Sequence, residues 1–128
     1  MKVLITGGAG YLGTVLTEEI LNRFPYAKVI VYDNLMYKQD GLFSFFKYPK
    51  DRFEFVYGDV RDKNSLLEQL KKLDKDNDYV IPLAAIVGFP ACARDEKLAT
   101  AVNFEHVKYI VQSTRCRIIY PNTNSGYG

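Results

Sequence analysis

Lys2-Val3-Leu4-Ile5-Thr6-Gly7-Gly8-Ala9-Gly10-Tyr11-Leu12-Gly13 decides the fold of this chain. The opening run is apolar and rich in β-branched residues, which reads as a buried strand. It breaks at Gly7-Gly8. Leu12, Val15, Leu16 and Ile20 then recur at helical spacing up to Phe24, and Pro25 closes that helix. The glycines between strand and helix satisfy two versions of a dinucleotide fingerprint, Gly8-x-Gly10-x-x-Gly13 and Gly7-x-x-Gly10-x-x-Gly13. One glycine permits the tight turn, the next lets the backbone approach a pyrophosphate, and the last lets helix pack on strand. Free N–H groups at the helix start then face phosphate charge. The competing use is a glycine turn with no ligand, which the position after a first strand and at a helix start argues against.

Outward from this segment the elements alternate. Lys28 to Tyr32 is a second buried strand ending in Asp33-Asn34, and Phe53 to Tyr57 is a third, cut off by Gly58-Asp59. Leu66, Leu67, Leu70 and Leu73 form a helical stripe, for which Ser65-x-x-Glu68 is the expected capping box. Tyr79 to Ile81 opens a fourth strand. Leu98, Ala101, Val102 and Tyr109 mark a third helix behind Asp95-Glu96, and Arg117 to Tyr120 is a fifth strand stopped by Pro121. The stretch from Leu35 to Arg52, with Leu42, Phe43, Phe45, Phe46 and Tyr48 close together, is expected to hold a short helix. This alternation predicts an α/β fold of the Rossmann type, a doubly wound parallel sheet of about five strands. Its ligand crevice lies at the carboxyl ends of the strands, where the chain order reverses. Asp33, twenty residues past Gly13, stands where a carboxylate accepts from adenosine ribose hydroxyls and repels a 2′-phosphate, favouring NAD over NADP. Its other use is turn chemistry, common for Asp-Asn.

The 128 residues are 48% apolar and 25% charged, with 17 basic against 15 acidic side chains. That is enough for one core. A net charge of +2 with no block of like charges leaves no nucleic-acid footprint. The longest apolar run, Val80 to Gly88, falls far short of the roughly eighteen residues a bilayer span needs. The N-terminus turns glycine-rich after Thr6, leaving no room for a signal h-region, and a cytoplasmic location is expected. Cys92, Cys116 and His106 share no metal-ligand spacing, so no metal site is expected.

Several motifs together carry a resemblance: Thr6 to Gly13 (TGGAGYLG), Asp33, Gly58-Asp59-Val60-Arg61-Asp62, Leu83-Ala84-Ala85, Asn103 and the closing Pro121 to Gly128 (PNTNSGYG). In their order and spacing the whole chain resembles the extended short-chain dehydrogenase/reductases, in particular the NAD-dependent nucleotide-sugar epimerases and dehydratases. The resemblance implies that Gly7, Gly10, Tyr11 and Leu12 line the pyrophosphate, and that Asp33 with Asn34 holds the adenosine ribose. It implies that Asp59 and Val60 meet the adenine edge, the carboxylate accepting from the amino group. Leu83, Ala84 and Ala85 would run along the cofactor, and Asn103 would organise the site floor. Thr123 would be the catalytic hydroxyl, bonding the reacting sugar hydroxyl. NAD is the implied cofactor, and a nucleotide sugar the implied substrate of a full-length relative.

The departures from the family are informative. Pro82 stands where the family often has His; it cannot donate to a sheet ladder, which predicts a local irregularity. His106 and Val107 replace small residues after Asn103, and His106 reads as a packed or surface histidine, not a base. Cys92 and Cys116 read as inert thiols. The family's base is the tyrosine of a Tyr-x-x-x-Lys pair, yet of the ten tyrosines the nine with a residue four positions on have no lysine there, and Tyr127 runs off the end. Residues 1–128 are therefore expected to be an incomplete Rossmann domain without its C-terminal substrate domain, inactive alone. An uncovered fifth strand would favour homo-oligomers. Two other uses stand beside this one: a non-catalytic NAD-binding or sensing module acting through a partner, and an interaction surface made of the Leu42 to Tyr48 aromatics. Those aromatics could equally cover the sheet.

Overall fold

The computed structural model describes residues 1–122, through which five strands run: β1 (Lys2–Thr6), β2 (Lys28–Asp33), β3 (Phe53–Tyr57), β4 (Tyr79–Pro82) and β5 (Arg117–Ile118). Every pairing is parallel, and the order across the sheet is β3-β2-β1-β4-β5. The winding therefore reverses between β1 and β4, as the doubly wound expectation requires. Alternation along the strands fills two layers. Val3, Ile5, Val29, Val31 and Ile81 pack with Ile20 and Leu21 of helix α1 (Tyr11–Arg23). Leu4, Ile30, Tyr32 and Val80 pack on the opposite face with Leu66 and Leu70 of α2 (Lys63–Leu70). Burial on both faces is why these strands read as unbroken apolar runs. Each such side chain contributes about 1.5–3 kcal/mol relative to exposure. No helix among the described residues is long and apolar enough to cross a membrane.

Several local expectations are corrected. Asp62, not Ser65, caps α2: its carboxylate accepts from the Ser65 N–H at 3.1 Å. An ionised acceptor suits the positive end of a helix better than a hydroxyl does. Ser65 falls in the first turn, where its hydroxyl accepts from the Tyr32 hydroxyl at 3.0 Å. The third helix is divided. A short helix α3 (Phe89–Arg94), which starts behind Gly88 with Pro90 in its first turn, precedes α4 (Glu96–Thr100), which Asp95 caps through the Leu98 N–H at 3.0 Å. A π-helical turn, Ala101–Glu105, then leads into α5 (His106–Ser113).

Pro82 lies within β4, paired in register with Thr6. The Leu83 N–H donates to the Thr6 carbonyl at 2.8 Å and the Ile119 N–H to the Val80 carbonyl at 3.0 Å. Alternation thus turns the Pro82 nitrogen toward β5, where the missing donor coincides with the end of pairing at Ile118. That accounts for a fifth strand shorter than the expected Arg117 to Tyr120. The expected short helix is the 3-10 helix Gly41–Phe45, whose Leu42 and Phe45 are buried in the α1-side layer. Phe45 lies 5.4 Å from the Phe53 ring, while Phe43 and Phe46 stay exposed. Half of the aromatic cluster thus covers the sheet.

His106 is a packed residue. It is buried, with Nε2 3.2 Å from the Thr6 hydroxyl and Nδ1 against the Val102 carbonyl. A carbonyl can only accept, so Nδ1 carries the hydrogen and Thr6 donates to Nε2. Burial pushes this imidazole below its ordinary pKa of 6.5. The unfolded chain then binds a proton near pH 6.5 that the folded chain still refuses, so stability is full above that pH and falls below it. Urea unfolding between about pH 7.5 and about pH 5.5 should show a loss of at most about 1.4 kcal/mol per pH unit from this group. His106→Gln should remove that part of the acid sensitivity.

Candidate functional site

A cleft of about 830 Å³ opens at the carboxyl ends of the central strands. It is bounded by the loop after β1 (Gly7, Gly10, Tyr11, Leu12), the turn after β2 (Asp33, Asn34), the turn after β3 (Asp59, Val60), the segment after β4 (Leu83, Ala84, Ala85) and Asn103 of the π turn. Every cofactor-binding candidate of the sequence is thus brought to one cavity. Tyr32, Met36, Tyr37, Gln39, Val102 and Tyr120 also line it. Nothing in their local sequence marks them, because the strand order brings them there. Gln39 adds a buried Oε1 with no hydrogen-bond partner among the described residues. Thr123 lies outside the described residues.

The loop glycines differ in what demands them. Gly7 sits at φ +70, and a Cβ there would stand 2.4 Å from the Ala84 backbone nitrogen. A Cβ on Gly8 would meet Val31 at 2.9 Å, and one on Gly13 would meet Gly8 at 2.5 Å. Packing within the protein forbids all three. Gly10 is different: its φ is −72, and the nearest atom to an added Cβ is the Gly7 carbonyl oxygen at an ordinary 3.5 Å. Gly10 is also the N-cap of α1, with no side chain capping that end. The first-turn N–H groups of Tyr11, Leu12 and Gly13, which have no intrahelical partner, therefore belong to residues lining the cleft.

Asp33 is buried and organises the loop from within. Its Oδ2 accepts from the Ala9 N–H at 3.0 Å and its Oδ1 from the Leu35 N–H at 2.7 Å. The turn role and a place at the cleft are therefore combined in one carboxylate, and each oxygen keeps a further acceptor position. Asn34 accepts from the Met36 N–H at 3.0 Å and donates to Asp59 at 3.2 Å. Asp59 is clamped by the Arg61 guanidinium, Nε to Oδ1 at 2.9 Å and Nη2 to Oδ2 at 2.7 Å. That hydrogen-bonded pair holds the Asp59 pKa down at about 2. The Asp33-Asn34-Leu35 turn has no arginine beside it in sequence; pairing of β2 with β3 brings Arg61 within reach of it through Asp59.

Asn103 holds the segment after β4. Its Oδ1 accepts from the Ile86 N–H at 2.7 Å and its Nδ2 donates to the Ile86 carbonyl at 3.0 Å, so one side chain satisfies both backbone groups of a residue beyond the strand. The Cys92 thiol adds a hydrogen bond to the same carbonyl at 3.3 Å. The cysteine is thus tied into the wall of the cleft.

A parallel sheet with this order, a glycine loop feeding a helix start and a crevice at the reversal point define a Rossmann-type dinucleotide-binding fold. The sequence profile of the NAD dependent epimerase/dehydratase family matches residues 3–128, and the chain belongs to that family. It is 32% identical to a CDP-paratose 2-epimerase of Salmonella typhi over all of this chain and 38% of that protein. It thus spans well under half the length of that relative. A dTDP-glucose 4,6-dehydratase from Streptomyces venezuelae, solved with NAD, superposes with a TM-score of 0.75 at 28% identity over 88% of this chain and 35% of its own. A UDP-glucose 4-epimerase from Brucella ovis, also in complex with NAD, gives a TM-score of 0.76 at 25% identity over 99% of this chain and 37% of its own.

The Asn103 clamp can be tested without any ligand. Asn103→Ala removes two hydrogen bonds to partly buried backbone groups, and chemical denaturation should register a loss of about 1–3 kcal/mol. The same variant should lose hydrogen-exchange protection at the Ile86 amide, while amides of β1 and β2 keep theirs relative to the new global stability.

Proposed function

We propose that this chain binds NAD in the cleft and forms the cofactor-binding part of a nucleotide-sugar epimerase or dehydratase. The observation that carries it is Gly10. No atom among the described residues requires a glycine there, whereas a pyrophosphate resting on the start of α1 does, because a side chain would stand between it and the uncapped N–H groups. Gly7, Gly10, Tyr11 and Leu12 would hold the pyrophosphate. Asp33, with Asn34 beside it, would offer its remaining acceptor positions to the adenosine ribose hydroxyls. Val60 and the turn at Asp59 would bound the base, and Leu83, Ala84 and Ala85 would run along the nicotinamide half. Asn103 would fix that wall, and Thr123 would supply a hydroxyl to orient a reacting sugar hydroxyl.

When bound, NAD supplies a hydride acceptor. The side chains and backbone of the cleft would position it. None of the nine tyrosines with a residue four positions on carries a lysine there, so no Tyr-x-x-x-Lys pair lies within the 128 residues to take the sugar proton. Titration calorimetry on the 128-residue chain should register NAD, with NADP binding more weakly because its 2′-phosphate would meet the Asp33 carboxylate. Gly10→Ala should weaken NAD by about tenfold or more while costing under about 1 kcal/mol of stability, the range for an N-cap change. NAD affinity unchanged in Gly10→Ala, or no NAD binding by the parent chain, would overturn the assignment. No NADH should form when the chain alone is mixed with NAD and a nucleotide sugar.

A further inference from the structure

We infer that Tyr32 is a positioning residue for the base end of the cleft: its buried phenol holds the turn after β3, Gly58-Asp59-Val60, against β2, and so sets how tightly the adenosine half of a dinucleotide is bound. The inference rests on the dinucleotide assignment above.

Tyr32 packs in the α2-side layer with Ile30, Val60 and Leu66, and none of it is exposed. An aliphatic side chain would fill that layer as well. The phenol differs because a buried hydroxyl must find a partner. Here it donates to the Asp59 carbonyl at 3.0 Å and meets the Ser65 hydroxyl at 3.0 Å. Burial pushes the phenol above its ordinary pKa of 10.0, so the donor is present throughout the neutral range. The chain crosses directly over the ring. A Cβ on Gly58 would stand 2.3 Å from the ring carbon that bears the hydroxyl and 2.4 Å from the hydroxyl oxygen. The Gly58 backbone is not left-handed, so contact with Tyr32 calls for the glycine there.

Three ties join this turn to β2 and the residue after it. The Gly58 N–H donates to the Asp33 carbonyl at 3.1 Å, Asn34 donates to the Asp59 carboxylate at 3.2 Å, and Tyr32 holds the Asp59 carbonyl. The Asp62 N–H also donates to that carbonyl, at 2.9 Å, but it belongs to the same turn and moves with it. Asn34 leads into exposed Met36 and Tyr37. Of the three ties, that of Tyr32 is carried by a side chain locked in the core, and it fixes the height of Asp59 and Val60 over the sheet. Both residues line the cleft. A ligand that packs its base there meets a turn already in place, and less conformational freedom is lost on binding.

The test is calorimetry of NAD and of ADP, which has the adenosine and the pyrophosphate but no nicotinamide, on the 128-residue chain, Tyr32→Phe and Ser65→Ala. Tyr32→Phe keeps the ring and removes only the hydroxyl. It should weaken both ligands by the same factor, about threefold to tenfold, the range for one hydrogen bond lost from a site arranged beforehand. Its Gly58 and Asp62 amides should lose hydrogen-exchange protection relative to those of β1. Ser65→Ala leaves the bond to Asp59 and should keep both affinities within about twofold. NAD affinity unchanged in Tyr32→Phe would overturn the inference while leaving the cofactor assignment intact. So would a loss for NAD that ADP does not share, or an equal loss in Ser65→Ala. A Tyr32→Phe chain without native circular dichroism would overturn it too, since the hydroxyl would then be a requirement of the fold itself. If the parent chain binds neither ligand, the cofactor assignment fails and the inference fails with it.

Discussion

The backbone of Gly7 passes against that of Ala84 with no room for a Cβ between them, and the shape of the cleft follows from that approach. β1 and β4 are the strands between which the winding reverses, so their carboxyl ends must diverge into loops that leave in opposite directions. Three hydrogen bonds hold the end of β1 at that point, one to β2, one to the segment after β4 and one to α5. The Gly7 N–H donates to the Tyr32 carbonyl and the Leu83 N–H to the Thr6 carbonyl, each at 2.8 Å, and the Thr6 hydroxyl reaches His106 behind the sheet. A side chain at position 7 would force β1 from β4 and also meet the strain of a left-handed backbone.

Around this junction the acidic residues are turned inward before any ligand is considered. Asp33 joins the glycine loop to the turn after β2, so the loop's shape is held by the same carboxylate that borders the cleft. Asp59 joins the turn after β3 to that after β2 through Asn34, with Arg61 balancing its charge. Buried or half-buried carboxylates are tolerated because their oxygens are met by N–H groups or a cation. A site organised this way loses less conformational freedom when a ligand arrives.

The π turn serves the opposite wall. Its wider spacing lets two residues three apart do different things: Asn103 reaches out to Ile86 in the segment after β4, and His106, immediately past the turn, reaches in to Thr6 at the end of β1. A regular helix would put positions three apart on nearly the same face. Single π turns are frequent where a functional side chain must be aimed out of a helix's ordinary pattern.

The elements and their class are legible in the chain itself. Apolar periodicity, the Gly7 to Gly13 loop and the acid at position 33 are local signals, written within a few residues of where they act, and they are enough for an α/β sheet with a glycine-loop cleft. Tertiary structure decides what depends on partners distant in the chain. The Ser65 hydroxyl, read as a cap, is instead engaged by Tyr32, 33 residues away. The π turn carries no spacing signature, since its neighbours remain ordinary helix formers. Pro82 by its chemistry disturbs a strand, but only the side on which β5 lies decides that the disturbance falls there. Arg61 reads in sequence as one charge of a Gly-Asp-Val-Arg-Asp turn. It meets Asp59 two residues away within that turn; Asn34 reaches Asp59 only because β3 pairs with β2, and strand order is a long-range choice that no local pattern encodes.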